Sequence, residues 1–392
     1  MPAPPLPPPT RGDLVAVALP PGPAWAPLLA RLWEAEAALL PVDHRLPPVA
    51  VAALLERARP TLLVDPGGGR RLDGGAGCDP AVAAVVATSG SSGEPRLVEL
   101  DRAAVVAAVT ASATALGAEP EQGWLSCLTP AHIGGLLVLL RGVVLGCPLT
   151  VHERFDVERI ATTGCAYTSI AATMLVRLLD AGVDLRRFRT VLVGGSALSA
   201  ELAERAAAAG AAIVSTYGLT ESCGGVVYDG VPLDGVTVEI GEGGEVALGG
   251  PTLMRGYRGD PVATAAALAG GRLRTGDAGH LDAAARLHVA GRIAEVIVSG
   301  GVKVWPGPLE AVLREHPGVA DVAVTGAPDP EWGERVVAVV VPADPARPPT
   351  LEELRDHAGA RAGRHRAPRE LRIVDALPRT ALGKLRRGRL GP

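Results

Sequence analysis

The sequence predicts an α/β protein. A large N-terminal α/β domain over residues 1–291 carries a β-rich subdomain at 231–291, and a small α+β domain follows at 292–392. Three observations carry this. Apolar runs alternate with Ala-rich amphipathic segments up to about residue 230, the pattern of β-α-β units. From 231 to 291 short alternating runs with Gly turns replace them, as in "VTVEIGEGGEVALGG" and "RLHVAGR". After Gly291 the pattern changes again, and 392 residues are long for one domain.

The elements follow in order. "HIGGLLVLLRGVVLGCPLTV" reads as a buried helix and then a strand; Arg141, four glycines and Pro148 interrupt it too often for a membrane span. "YTSIAATMLVRLLDAG" reads as helical, with Leu175, Leu178 and Leu179 at i, i+3, i+4 spacing. "TVLVGG" is a buried strand. "LSAELAERAAAAG" is a helix with Ser199 as N-cap and Gly210 as its stop, and "AAIVSTYG" is the next, parallel strand. Beyond Gly291 come a hairpin ("EVIVSGGVKVWP"), a helix ("PLEAVLREH"), two strands ("VADVAVTG", "ERVVAVVVP"), a helix ("LEELRDHAG") and a strand ("ELRIVDALP").

Composition bounds the function. Hydrophobic residues make up 48% and aromatics 3%, enough for a sizeable aliphatic core. A net charge of −4 argues against a nucleic-acid binder as a whole. Residues 361–389 carry ten basic groups against Glu370 and Asp375, which is either a solvated face or a field that draws in polyphosphates. Five cysteines, odd in number and without C-x-x-C, read as reduced, buried thiols of a cytoplasmic protein, with neither disulfide nor zinc. The start "MPAPPLPPPTRGD" is Pro-rich without an apolar segment and does not read as a signal peptide. Only two of the 38 basic residues are lysines, Lys303 and Lys384.

Several loops offer chemistry. Thr88–Gly93 ("TSGSSG") follows a buried strand. Its hydroxyls and close-approaching glycine backbone suit a phosphate chain, although an ordinary Gly/Ser turn has the same composition, and no G-K-[ST] makes it a Walker loop. "VLVGGSALS" lacks the third glycine of a dinucleotide turn. "TYGLTES" has Glu221 where a Tyr-x-x-x-Lys dehydrogenase needs lysine. Glu221 at the end of a parallel strand suits Mg²⁺ beside a polyphosphate, or serves as a helix N-terminal charge. Asp277 in "RTGDAGHLD" can take both hydroxyls of a ribose, or close a turn.

In order, "TSGSSGEPR" (88–96), "STYGLTES" (215–222), "GEVALGGPTLMRGY" (244–257), "RTGDAGHLD" (274–282), "GRIAEVIVSGGVKVWP" (291–306) and "PRTALGKLRR" (378–387) resemble the motif series of the adenylate-forming superfamily, the acyl- and aryl-CoA synthetases. Within it, "PAHIGGLLVLLRGVVLGCPLTVHERFD" and "YGLTESCGGVVYDGVPLDG" look like the o-succinylbenzoate–CoA ligase family of menaquinone biosynthesis in its actinobacterial form.

The resemblance implies a large domain with a small mobile domain that swings over it. The substrates would be 2-succinylbenzoate, ATP and CoA, with Mg²⁺. It places Thr88, Ser89, Gly90, Ser91, Ser92 and Gly93 on the β- and γ-phosphates, with Arg96 at the loop's exit and Thr220 on phosphate. Glu221 would hold Mg²⁺; Gly195, Ser196, Tyr217 and Gly218 would flank adenine; Asp277 would grip the ribose with Arg292 nearby. His132 would line the aryl pocket near the reacting carboxylate, and Gly300, Gly301 and Lys303 would meet CoA. Lys384 would enter the site for adenylation, a compact ammonium bridging carboxylate and α-phosphate. A homodimer is compatible with the resemblance; nucleic acid and a membrane span are not expected.

Three departures stand out: Arg96 replaces the usual lysine, Ala294 replaces a polar hinge residue, and the N-terminal part is short. The competing readings are another aryl- or acyl-acid CoA ligase, a carrier-loading adenylation enzyme, and a non-catalytic AMP-binding relative. Intact Glu221, Asp277 and Lys384 argue against the last. A dicarboxylic substrate needs a second anchor, and Arg141 on the 132–148 segment is the residue to probe.

Overall fold

The computed structural model describes residues 7–88, 95–379 and 385–391. The chain divides into two units: residues 1–239, 247–275 and 283–287 form one, and residues 240–246, 276–282 and 288–392 form the other. Strands Thr237–Ile240, Glu245–Gly249, Leu273–Leu281 and Leu287–Arg292 run through the residues at which the units divide.

The first unit holds two seven-stranded sheets. In one, Leu14–Val17 lies parallel between Ala38–Pro41 and Leu62–Asp65, and Val82–Thr88 pairs antiparallel with Arg96–Asp101. Its central strands are apolar throughout, as burial on both faces requires: Leu14, Val15, Ala16 and Val17 are all fully buried. In the other sheet Trp124–Ser126, Tyr167–Ala171, Thr190–Gly194 and Ile213–Leu219 run parallel, and Gly224–Tyr228 turns back antiparallel. Leu125, Ile170, Leu175, Leu178, Val191 and Leu202 fill one core of this unit.

The β-α-β reading from 190 to 219 matches the structure. Ser199 caps the helix Ala200–Ala208 by accepting the Leu202 N–H at 3.2 Å, and Gly210 past its end has φ +73°. The segment "YTSIAATMLVRLLDAG" is corrected: Tyr167–Ala171 is a strand, and only Ala172–Asp180 is helix. The helical spacing of leucines is real but begins at Leu175. The upstream residues pair on both sides with parallel strands, and that pairing decides their conformation. The helix Ile133–Leu145 and strand Leu149–Val151 follow the expected order, and among the described residues no helix is long and apolar enough to cross a membrane. All five cysteines are free; four are buried, and Cys78 is half-buried rather than buried.

In the second unit Val319–Asp329 and Gly333–Pro342 form a long antiparallel pair, flanked by the hairpin Ile297–Ser299/Val302–Val304 and by Glu370–Ile373 in parallel. Helices Pro306–Arg314 and Leu351–Ala362 bury Leu309, Leu313 and Leu354 against Val322, Val324 and Val336. The hairpin turns on Gly300 and Gly301, both at positive φ (+57° and +79°), the requirement of a two-residue turn between twisted strands.

Candidate active site

Glu221 stands at the tip of a tight reversal. The parallel strand Ile213–Leu219 ends, Thr220–Ser222 makes one 3₁₀ turn, and Gly224–Tyr228 returns antiparallel. Ser222 locks the turn: its hydroxyl accepts the Leu219 N–H at 2.8 Å and lies within bonding distance of the Leu219 and Gly224 carbonyls. Gly218 admits no side chain, because a Cβ there would lie 1.9 Å from the Gly224 carbonyl oxygen. Cys223 completes the reversal at φ +58°, fully buried, with its thiol pushed up to about 12 by loss of solvent. Burial likewise pushes Cys127 and Cys78 up to about 11, so these three thiols stay protonated at neutral pH and are poor nucleophiles.

The half-buried Glu221 carboxylate accepts a hydrogen bond at Oε1 from the Tyr257 phenol, 2.9 Å away, and its backbone carbonyl accepts the Met254 N–H at 2.8 Å. Tyr257 in turn carries the Arg96 guanidinium over its ring, 5.1 Å from the centroid. Arg96 pairs with Thr88 across the antiparallel strands that bracket the glycine-rich segment. Thr88, Arg96 and Glu221 are therefore brought together through Tyr257. Ser89, Gly90, Ser91, Ser92 and Gly93 lie outside the described residues. Tyr257 was within reach of the sequence, since it ends the stretch "GEVALGGPTLMRGY", but nothing in that stretch says which carboxylate its hydroxyl meets.

Gly195 (φ +81°) and Ser196 are exposed just after strand Thr190–Gly194, whose neighbour Ile213–Leu219 carries Tyr217 and Gly218. Both sets lie at the carboxyl ends of adjacent parallel strands, where open α/β sheets take ligands. His132 is the N-cap of Ile133–Leu145, a helix that packs on Gly224: a Cβ at Gly224 would meet Leu137 at 2.4 Å and Ile133 at 3.4 Å. The His132 Nε2 is buried without a hydrogen-bond partner. Burial lowers the His132 pKa, and Arg45 lowers it further, against the opposing effect of Asp43. The ring is thus neutral at pH 7, a hydrogen-bonding group rather than a charge. Asp43 is held by the Arg45 fork at 2.9 and 2.7 Å.

Arg141 is 4% exposed and lies 4.2 Å from the Trp124 ring centroid. One Nη donates to Ser112 at 2.9 Å, and Nε is buried without a partner. Among the described residues no carboxylate forms an ion pair with it.

In the second unit Asp277, nearly buried, is bridged by Arg292 at 2.9 Å, so these two expected site residues meet. Gly300, Gly301 and the exposed Lys303 sit on the hairpin, where the Gly300 N–H donates to the Trp332 carbonyl at 2.9 Å. Lys384 lies outside the described residues. Among the described residues no group of three or more His, Cys, Asp or Glu forms a metal cluster. A single half-exposed carboxylate with one oxygen already oriented fits Mg²⁺, which keeps most of its own water and takes one or two protein carboxylates beside phosphate.

The AMP-binding enzyme family matches residues 75–258, and the AMP-binding enzyme C-terminal domain matches residues 308–384. A probable 2-succinylbenzoate–CoA ligase of Mycobacterium tuberculosis is 42% identical over 326 residues, covering 80% of this chain and 84% of the relative. The 2-succinylbenzoate–CoA ligase of Listeria monocytogenes is 34% identical, covering 79% of this chain and 69% of the relative. The o-succinylbenzoate CoA synthetase of Bacillus subtilis, solved with its acyl-adenylate intermediate, superposes with a TM-score of 0.87 at 26% identity over 98% of this chain and 89% of that one. The same enzyme with ATP and magnesium ion gives 0.86 at 26% identity, over 97% of this chain and 90% of that one.

Proposed function

Since the chain belongs to the AMP-binding enzyme family, we propose that it is an ATP-dependent 2-succinylbenzoate–CoA ligase of menaquinone biosynthesis. Two steps account for the product. A carboxylate oxygen of the acid attacks the α-phosphorus of ATP and pyrophosphate leaves, giving an acyl-adenylate. The CoA sulfur then attacks the acyl carbon, AMP leaves, and the thiol proton passes to solvent.

The observation that carries the reading is the seating of Glu221 at the end of a parallel strand, joined through Tyr257 to the strands that bracket the glycine-rich segment. Adenylation joins two anions, so the site must offset charge on the phosphates before the carboxylate arrives. Glu221 would hold Mg²⁺, which when bound neutralises phosphate charge. Thr88, Ser89, Gly90, Ser91, Ser92, Gly93 and Thr220 would bind the phosphates. Gly195, Ser196, Tyr217 and Gly218 would line adenine, and Asp277 with Arg292 would take the ribose. Neutral His132, with Nε2 unpaired, is suited to hydrogen-bond the reacting carboxyl. Lys384 would bridge carboxylate and α-phosphate, and Gly300, Gly301 and Lys303 would receive CoA.

A dicarboxylic acid is favoured by Arg141, a buried guanidinium whose Nε–H is unmet and which pairs with no carboxylate among the described residues. The proposal also divides the chain between Gly291 and Arg292, with the small domain turning near Ala294 between the half-reactions. The test is kcat/KM across a panel of acids with ATP and CoA. 2-Succinylbenzoate should rank first, and benzoate or a fatty acid outperforming it would overturn the substrate while leaving the reaction class.

A further inference from the structure

The Tyr257 hydroxyl donates to Glu221 while the Arg96 guanidinium also acts on it, and the surroundings of Tyr257 allow it little movement. Its side chain is 8% exposed, and its backbone N–H donates to Thr264 Oγ1 at 2.8 Å. The residues around it are fixed to four other segments. Met254 N–H meets the Glu221 carbonyl, and Arg255 bridges Asp79 and Asp101 at 3.0 and 2.9 Å. Arg258 donates to Glu99 at 3.0 Å and to the Ala58, Ala76 and Gly77 carbonyls. A phenol held this firmly fixes the rotamer of the carboxylate it touches, and it fills one lone pair of Oε1 while Oε2 accepts nothing from it.

We propose that Tyr257 is a positioning residue with two separable tasks: its hydroxyl orients Glu221 toward the metal–nucleotide complex, and its ring seats the Arg96 guanidinium beside the glycine-rich segment. The inference rests on the reading of Glu221 as the Mg²⁺ carboxylate. It also accounts for arginine at position 96, because a planar guanidinium stacks on a ring face where an ammonium has no plane to offer. Groups that orient a metal-binding side chain typically contribute about 10–100-fold in metal affinity.

The experiment uses the full-length protein with ATP and Mn²⁺ or Mg²⁺. Free Mn²⁺ is read by electron paramagnetic resonance without acid or CoA, and pyrophosphate release is followed as Mg²⁺ is varied. Tyr257→Phe keeps the ring, so it should raise the metal concentration at half-saturation by about 10-fold or more. The KM for ATP at saturating metal should rise less than in Tyr257→Leu, because the ring face under Arg96 survives although the hydroxyl it also meets is lost. Tyr257→Leu, which lacks both groups and serves if the Phe variant does not fold, should show the metal shift and a raised KM for ATP. In the Glu221→Gln background Tyr257→Phe should add nothing. An unchanged metal curve in both Tyr257 variants, with Glu221→Gln still shifting it, overturns the inference alone. An unchanged curve in Glu221→Gln overturns the metal reading and the inference with it.

Discussion

Lys384 is where residue chemistry decides most, because the chain uses arginine for 36 of its 38 basic groups yet has lysine here. A point charge that arrives, bridges two anions and leaves is a task for an ammonium rather than a rigid fork. Lys384→Ala should slow acyl-adenylate formation on the order of 10²–10³-fold, and Lys384→Arg should recover little of it. Thioester formation from pre-made acyl-adenylate and CoA should survive in both variants. Rapid-quench assay of each half-reaction decides, and equal loss in both contradicts this role. Other residues show the reach of sequence reading. Glu221 and Asp277 stood out as carboxylates that suit Mg²⁺ and a ribose but suit a helix N-terminus or a turn as well, and His132 came from the resemblance alone. The partner of Tyr257 was not legible, since its contact with Glu221 spans 36 positions and depends on how two strands come together. Arg141 was legible as a cation, but its burial against Trp124 was not.

At the scale of elements, periodicity read the strands and helices well where one pattern filled a segment. It failed at Tyr167–Ala171, where strand pairing on both sides overrode a helical run that begins only four residues later, at Leu175. The C-terminal tail shows a second kind of information that spacing does not carry. Most of its charge is counted correctly from sequence, yet Arg387 is no free surface cation. Its fork grips the buried Glu310 at 2.6 and 3.1 Å, its Nε meets Glu295 at 2.8 Å, and it donates to the Val324 carbonyl. On the near side of residues 380–384, Arg379 bridges with Leu385 and pairs with Asp321. Arg387→Met leaves Glu310 buried without its bidentate partner and should cost about 3 kcal/mol. Chemical denaturation of the full chain, followed by tryptophan fluorescence, should show the transition of the C-terminal unit moving to lower denaturant. A transition that does not move removes Arg387 from that role.

For the whole molecule, pH dependence follows from three histidines. Burial is the largest cause lowering the pKa of His132, His152 and His316 from the ordinary 6.5. The unfolded chain therefore takes up protons that the folded chain resists. Stability from these groups is fully present above about pH 6.5 and is lost as pH falls through their lower folded values. Asp13 and Asp43 act in a more acidic window: burial alone would raise both, but hydrogen bonds, from Arg71, Thr10 and Thr61 for Asp13 and from Arg45 for Asp43, lower them on balance. Unfolding free energy should fall between pH 7 and pH 5, read by denaturant titration, and His132→Asn should flatten its slope by up to about 1.4 kcal/mol per pH unit. A slope that His132→Asn leaves unchanged contradicts the buried neutral ring.

The two-step route through an adenylate is the central claim, and it is tested most directly with CoA withheld. Enzyme, Mg-ATP and 2-succinylbenzoate are mixed in single turnover, products are identified by mass spectrometry, and CoA is then added after ATP has been removed. The account predicts one pyrophosphate and one enzyme-bound acyl-adenylate per active site, converted on the chase to the CoA thioester and AMP without further ATP. Release of ADP and phosphate, or no pyrophosphate until CoA is present, would contradict it.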